Sequence, residues 1–244
     1  MQNSRLLFIF LLSLNLASGV FSFEFTFKNN CSYTIWPGTL TGGGLPQLLT
    51  TGFELQPGNS QTLDVPPKWS GRFWARTHCS NDTSGKFTCL TGDCASSKVG
   101  CNGAGAIPPA TLLEFTLGGA SDLDFYDVSL VDGYNLPASI TPQGKLGCPS
   151  TSCAGDVNKV CPPEMSVKGD MNSSVIACKS ACEAFKDPLY CCAKPYDTPQ
   201  TCPPSNYSKI LKETCPQAYS YAYDDKTSTF TCAMGGDYLI TFCP

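Results

Sequence analysis

Sixteen cysteines in 244 residues constrain this fold more than any other feature of the chain. All lie beyond an N-terminal stretch, LLFIFLLSLNLA, which follows Arg5 and is too short to span a bilayer. That stretch reads as a secretory leader over residues 1–22. Val20 and Ser22 occupy the small-residue positions before a cut, and Phe23 becomes the first mature residue. An even cysteine count in an exported chain implies an oxidised framework. Full pairing makes eight bridges from the sixteen, and spacing alone cannot choose among on the order of two million pairings. A metal site fits poorly, because the chain has one histidine, His78, and no repeated C-x-x-C pair.

Beyond the leader no stretch has the length of apolar sequence a membrane span needs, so no membrane anchor is expected. Removing the leader takes away Arg5 and no acid, which moves the formal charge from −4 to −5. An acidic chain is a poor partner for nucleic acid or an anionic bilayer. Neutral sugars or a cationic partner remain, and nothing calls for more than a monomer.

The first half reads as β structure. In FEFTFKNN, Phe23, Phe25 and Phe27 alternate with Glu24, Thr26 and Lys28. Trp69 to Cys79 predicts another strand, with Arg72 and Trp74 on one face and Phe73 and Ala75 on the other. Gly85 to Cys101 reads as a loop stapled by its own cysteines. The stretch from Thr111 to Gly133 sets Glu114, Asp127 and Asp132 among two alternating apolar sets, Leu113-Phe115-Leu117 and Tyr126-Val128-Leu130. Acids on rigid strands are candidates for chemistry; the plainer reading is a solvated outer face of an antiparallel sheet. Asp127 and Asp132 are five apart, so one unbroken strand would point them to opposite faces. Asp132 is therefore expected past the strand end, beside Gly133.

Composition changes near Cys148, and a smaller cysteine-dense region is expected over about 148–202, after a β core over about 23–147 that the C-terminal strands complete. Helical spacing of Val175, Cys178, Cys182 and Phe185 predicts a helix from Ser173 to Lys186, and Ser205 caps a second from Asn206 to Thr214. Strands return at Thr229–Thr231 and Tyr238–Phe242. A last strand beside the first would bring Cys243 to Cys31. Sequons stand at Asn30, Asn81, Asn172 and Asn206; the last three are the expected glycan sites.

The run Gly85-x-Phe87-x-Cys89-x-Thr91-Gly92-Asp93-Cys94 resembles the signature of the thaumatin-like proteins of plant defence. GRFWARTHC, PPATLLEF, DFYDVSLVDGYNLP, the Cys191-Cys192 pair, CPQAYSYAYDD and the terminal FCP resemble family segments in the family order, over residues 23–244. The resemblance implies a mainly β fold: a flattened antiparallel β-sandwich, a disulfide-rich domain with a helix, a small third lobe, and a cleft between core and second domain. It implies the pairing Cys31–Cys243, Cys79–Cys89, Cys94–Cys101, Cys148–Cys232, Cys153–Cys215, Cys161–Cys178, Cys182–Cys191 and Cys192–Cys202. It also implies an acidic cleft lined by Arg72, Glu114, Asp127, Asp132 and Asp225, and no cofactor.

Members of this family are secreted antifungal proteins that bind β-1,3-glucan of fungal walls, some with weak endo-β-1,3-glucanase activity, and several are allergens. Hydrolysis needs one carboxyl to protonate the leaving oxygen and a second to activate water or attack. Those roles are expected of Glu114 and Asp132, with Arg72, Asp127 and Asp225 orienting them and Phe125 and Tyr219 offering rings to the sugar. The rival expectation is a non-catalytic module acting on a microbial surface protein or a foreign hydrolase, since one fold serves several activities. No G-x-S-x-G occurs, and the pairing leaves no thiol for catalysis.

Overall fold

Alternation of aromatic and polar residues makes β1 (Phe23–Asn29) a strand with one buried face, and the computed structural model shows Phe23, Phe25 and Phe27 at most 3% exposed. The structure describes residues 22–144, 146–169, 174–233 and 236–244. All of the leader but Ser22 lies outside them, as does the sequon at Asn172. Asn30, Asn81 and Asn206 are exposed.

Strand β1 pairs antiparallel with β3 (Ser60–Val65) and parallel with β13 (Asp237–Phe242). Beyond β13 come β8 (Ala138–Gln143) and β9 (Thr151–Cys153), which completes a five-stranded sheet. The second sheet runs β12 (Phe230–Ala233), β7 (Leu123–Ser129), β6 (Leu112–Thr116), β4 (Ser70–Asn81), β2 (Trp36–Thr41), with β5 (Phe87–Thr91) paired to β4. The two sheets face each other through aromatic rings. Phe25 meets Phe115 edge-on at 4.9 Å and Phe27 meets Phe73 at 5.0 Å. Each such ring removed from water contributes roughly 1.5–3 kcal/mol. The parallel pairing of β1 with β13 brings the two ends of the chain together, and Cys31–Cys243 locks them across 212 residues.

All eight expected bridges are formed. Five of them tie down the region after β8, which holds the two-stranded β10 (Ser166–Lys168) and β11 (Val175–Cys178) and the helices α1 (Ala181–Phe185), α2 (Pro188–Cys191) and α3 (Asn206–Thr214). A last short helix, α4 (Asp225–Ser228), precedes β12.

Two expectations need correction. The helix expected over 173–186 is two elements: β11, then α1 starting where Ser180 caps it by accepting from the Glu183 N–H. Gly85–Cys101 is not all loop, because β5 crosses it and pairs Cys89 directly opposite Cys79. Both faces of β4 are covered over part of its length, and Phe73, Trp74 and Ala75 are all buried. Trp74 sits in a second small core with Cys94, Cys101, Ala110 and Leu112, so the bridged segment covers the outer face there. Helix α3 falls on the expected residues, with Ser205 accepting from the Ser208 N–H.

Candidate functional site

Register alone lines up three of the expected residues. Across β4, β6 and β7, Arg72 lies opposite Glu114 and Glu114 opposite Asp127. Adjacent strands are about 4.8 Å apart, so the three side chains form one row on the outer face. Phe125 and Ser129 flank Asp127 on that same face, two residues away on either side, while Tyr126 and Val128 point into the core. Asp132 lies three residues beyond β7, past the strand end as expected. There the Gly133 N–H closes a turn onto the Leu130 carbonyl, and Gly133 has φ 89°, a value suited to glycine. A Cβ at Gly133 would also strike Pro109 and the Cys178 carbonyl.

Asp225 arrives from the far end of the chain. Main-chain hydrogen bonds from the Tyr219 N–H to the Val128 carbonyl, and from the Leu130 N–H to the Tyr219 carbonyl, dock segment 218–228 against the end of β7. The Tyr219 hydroxyl then donates to Asp225 Oδ1 at 2.9 Å and also contacts Thr229 Oγ1. Lys212 anchors the segment from behind. Its Nζ is 2.9 Å from Asp224 Oδ2 and donates to the Ala218 carbonyl and Ser228 Oγ.

Arg72, Glu114, Asp127, Asp132, Tyr219 and Asp225 together line one open groove of about 390 Å³. Arg72, Glu114 and Asp127 also line its continuation, about 260 Å³, which Phe125 and Gly42–Gly43 extend. Every residue expected at the cleft therefore borders this continuous depression. Sequence reasoning passed over Ser129, Val131 and Ala222 in its walls. Ser129 had a signal, since it follows Asp127 by the strand period.

Burial dominates the electrostatics. It pushes the Asp127 carboxyl up to about 8, with the charges of Glu114 and Asp225 adding to the shift. Asp127 Oδ1 is buried and has no hydrogen-bond partner among the described residues. Glu114 is also raised, by burial and by Asp132, against the opposing pull of Arg72. Arg72 Nε stands 3.8 Å from Glu114 Oε1, and the side chains keep 41% and 36% exposure, so water screens this pair. Asp132 is raised by burial first. Arg72 lowers it, Glu183 on α1 raises it and Lys186 lowers it. The groove thus holds several carboxyls inclined to keep protons, beside one fixed cation. Such a set can hydrogen-bond sugar hydroxyls, and it contains the acid and carboxylate that glycoside chemistry requires.

Residues 29–244 match the model of the Thaumatin family. Thaumatin-like protein 1 of Pyrus pyrifolia is 60% identical over 245 residues, which is 100% of both chains. A Prunus avium protein named glucan endo-1,3-beta-glucosidase is 59% identical over 236 residues, 96% of each chain. Among solved structures, a family 64 laminaripentaose-producing β-1,3-glucanase from Paenibacillus barengoltzii, complexed with laminarihexaose, superposes with a TM-score of 0.55. That likeness covers 91% of this chain and 74% of the other at 11% identity, and is one of fold alone. By the family match and by full-length identity, the chain belongs to the thaumatin family.

Proposed function

We propose that the protein is a secreted plant defence protein, acting in the apoplast, whose acidic groove binds β-1,3-glucan of fungal cell walls and slowly cleaves its internal bonds. The observation that carries this reading is the meeting of Arg72, Glu114, Asp127, Asp132 and Asp225 in one open groove, from positions up to 153 residues apart in the chain. The name borne by the Prunus avium relative agrees with it. In this reading Glu114 protonates the leaving oxygen, and Asp132 is the second carboxylate, activating water. Asp127, held neutral by burial, spares Glu114 a second negative charge directly opposite. Asp225, held by the Tyr219 hydroxyl, orients the sugar.

A non-catalytic reading has one observation in its favour. Arg72 pulls against the burial that would keep the proton on Glu114, and Glu114 stays partly exposed. The groove would then serve recognition alone. Two measurements on the mature protein separate the readings: release of reducing sugar from a β-1,3-glucan, and pull-down on the same insoluble polymer. Binding with hydrolysis that Glu114→Gln abolishes supports the catalytic reading, since general acid catalysis contributes roughly 10²–10⁴-fold. Binding without hydrolysis leaves the recognition module. Absence of both defeats the glucan reading.

A further inference from the structure

The groove continues past the acids. Its acidic stretch ends on Val131 and Ala222, and the same two residues border a narrow cleft between Tyr190 and Tyr221. Tyr190 and Tyr221 then line a hollow of about 110 Å³ with Leu189, Pro203 and Pro204. Among the described residues, no charged one lines that hollow. We propose that Tyr190 and Tyr221 form a second sugar subsite, which takes pyranose rings of a β-linked glucan chain already lying in the acidic groove. This rests on the glucan-binding reading above and deepens it.

The chemistry of the hollow suits a neutral sugar. A β-glucopyranose carries its hydroxyls around the rim and leaves apolar C–H faces, which pack on tyrosine and proline rings. The two phenol hydroxyls offer polar tips to the rim. An ionic ligand would lose its hydration there and gain no counter-charge. A ligand that filled only this hollow would be small; one that also filled the acids must be a chain.

Both rings are held before any ligand arrives. Tyr190 lies on α2, whose start Asp187 caps by accepting from the Leu189 N–H, and the bridge Cys182–Cys191 ties down the next residue. Its ring rests against Phe185 at 5.4 Å and Tyr207 at 5.8 Å. Cys192–Cys202 fixes the chain that presents Pro203 and Pro204. Tyr221 follows Ser220, whose N–H and hydroxyl both donate to Asp224, the partner of Lys212. Half-buried rings on such supports need little ordering on binding, so their contacts go into affinity.

The test compares laminaritriose with laminarihexaose by calorimetric titration of the mature protein. Wild type is expected to bind the longer sugar about tenfold more tightly. The double variant Tyr190→Ala/Tyr221→Ala should lose that gain and keep its affinity for the trisaccharide, while Tyr221→Phe, which keeps the ring, should retain most of it. A gain that persists in the double variant overturns the subsite. So does an equal loss for both sugars, which would place the effect in a disturbed acidic groove. Equal wild-type affinities for the two sugars also overturn the subsite and leave glucan binding standing. Wild-type binding to neither overturns both proposals together.

Discussion

Asp127 gives the sharpest physical prediction, because its proton is linked to folding. Its carboxyl moves from an ordinary value of 3.8 to about 8 in the folded protein. The folded state therefore holds a proton that the unfolded chain has released throughout that window. The contribution is fully present below the unfolded value and is lost as pH rises through the folded one. One such proton lowers stability by about 1.4 kcal/mol per pH unit. Between about pH 5 and pH 8 the loss approaches ~4 kcal/mol. Asp127→Asn keeps the shape of the protonated acid and cannot ionise. Below about pH 4 it should match wild type to within about 1 kcal/mol, since it removes no packing. Between about pH 5 and pH 8 its advantage over wild type should grow by most of the ~4 kcal/mol. Glu114 and Asp132 are raised too and make both proteins lose stability with pH, so the difference between the two curves isolates Asp127. Guanidinium unfolding with the bridges intact, at a series of pH values, measures it. Parallel curves would refute the argument, and would mean that water or a mobile neighbour solvates the ionised carboxylate in the folded state.

Four further outcomes follow from the same geometry. Lys212→Met should cost about 2–3 kcal/mol in denaturant unfolding, because Asp224 loses its ion pair while keeping only 13% side-chain exposure; an unchanged midpoint would show the anchor to be idle. Tyr219→Phe removes the hydroxyl that donates to Asp225 and should cost about 1 kcal/mol, with a larger relative loss of glucan binding if Asp225 orients the sugar. Denatured, unreduced protein should show no titratable thiol, and replacing Cys31 and Cys243 together by Ser should cost roughly 2–5 kcal/mol; a thermal midpoint equal to wild type would contradict the clamp of the chain ends.

How much of this was legible depended on what fixed each element. Strand β1 and the pair β6–β7 could be read directly, since each has one face in the core and polar residues on the other. Strand β4 could also be read as a strand, but the burial of both its faces could not, because Trp74 on its outer face is covered by the Cys94–Cys101 segment. The false helix over 173–186 rested on the spacing of Val175, Cys178, Cys182 and Phe185, but cysteines obey bridge geometry before they obey periodicity. Cys178 is bound to Cys161 and Cys182 to Cys191, so they report two different local structures. The true start of α1 was marked by Ser180 with Glu183 three residues on, the capping-box spacing. Strand β5 was hidden because two bridges in its segment suggested local turns, whereas Cys79–Cys89 joins opposed residues on paired strands.

The candidate site divides along the same line. Arg72, Glu114 and Asp127 are placed by main-chain register, so any sequence that forms β4, β6 and β7 in this pairing sets them in a row. Asp132 needs one more condition, a turn that only Gly133 closes easily. Asp225 depends on neither. Its segment is docked on β7 by the main-chain bonds of Tyr219, and it is held by a side-chain network that runs from Lys212 through Asp224 to Ser220 and by the Tyr219 hydroxyl; no period in the sequence encodes such a network. The two halves should therefore come apart under mutation. Loosening the network at Lys212 should free Asp225 in the groove and leave the row on the sheet intact, because the row's hydrogen bonds lie in the strands themselves and Tyr219 keeps its main-chain bonds to Val128 and Leu130. The row would survive any change that spares the pairing of β4, β6 and β7, and Asp225 in the far wall would not survive the loss of its network.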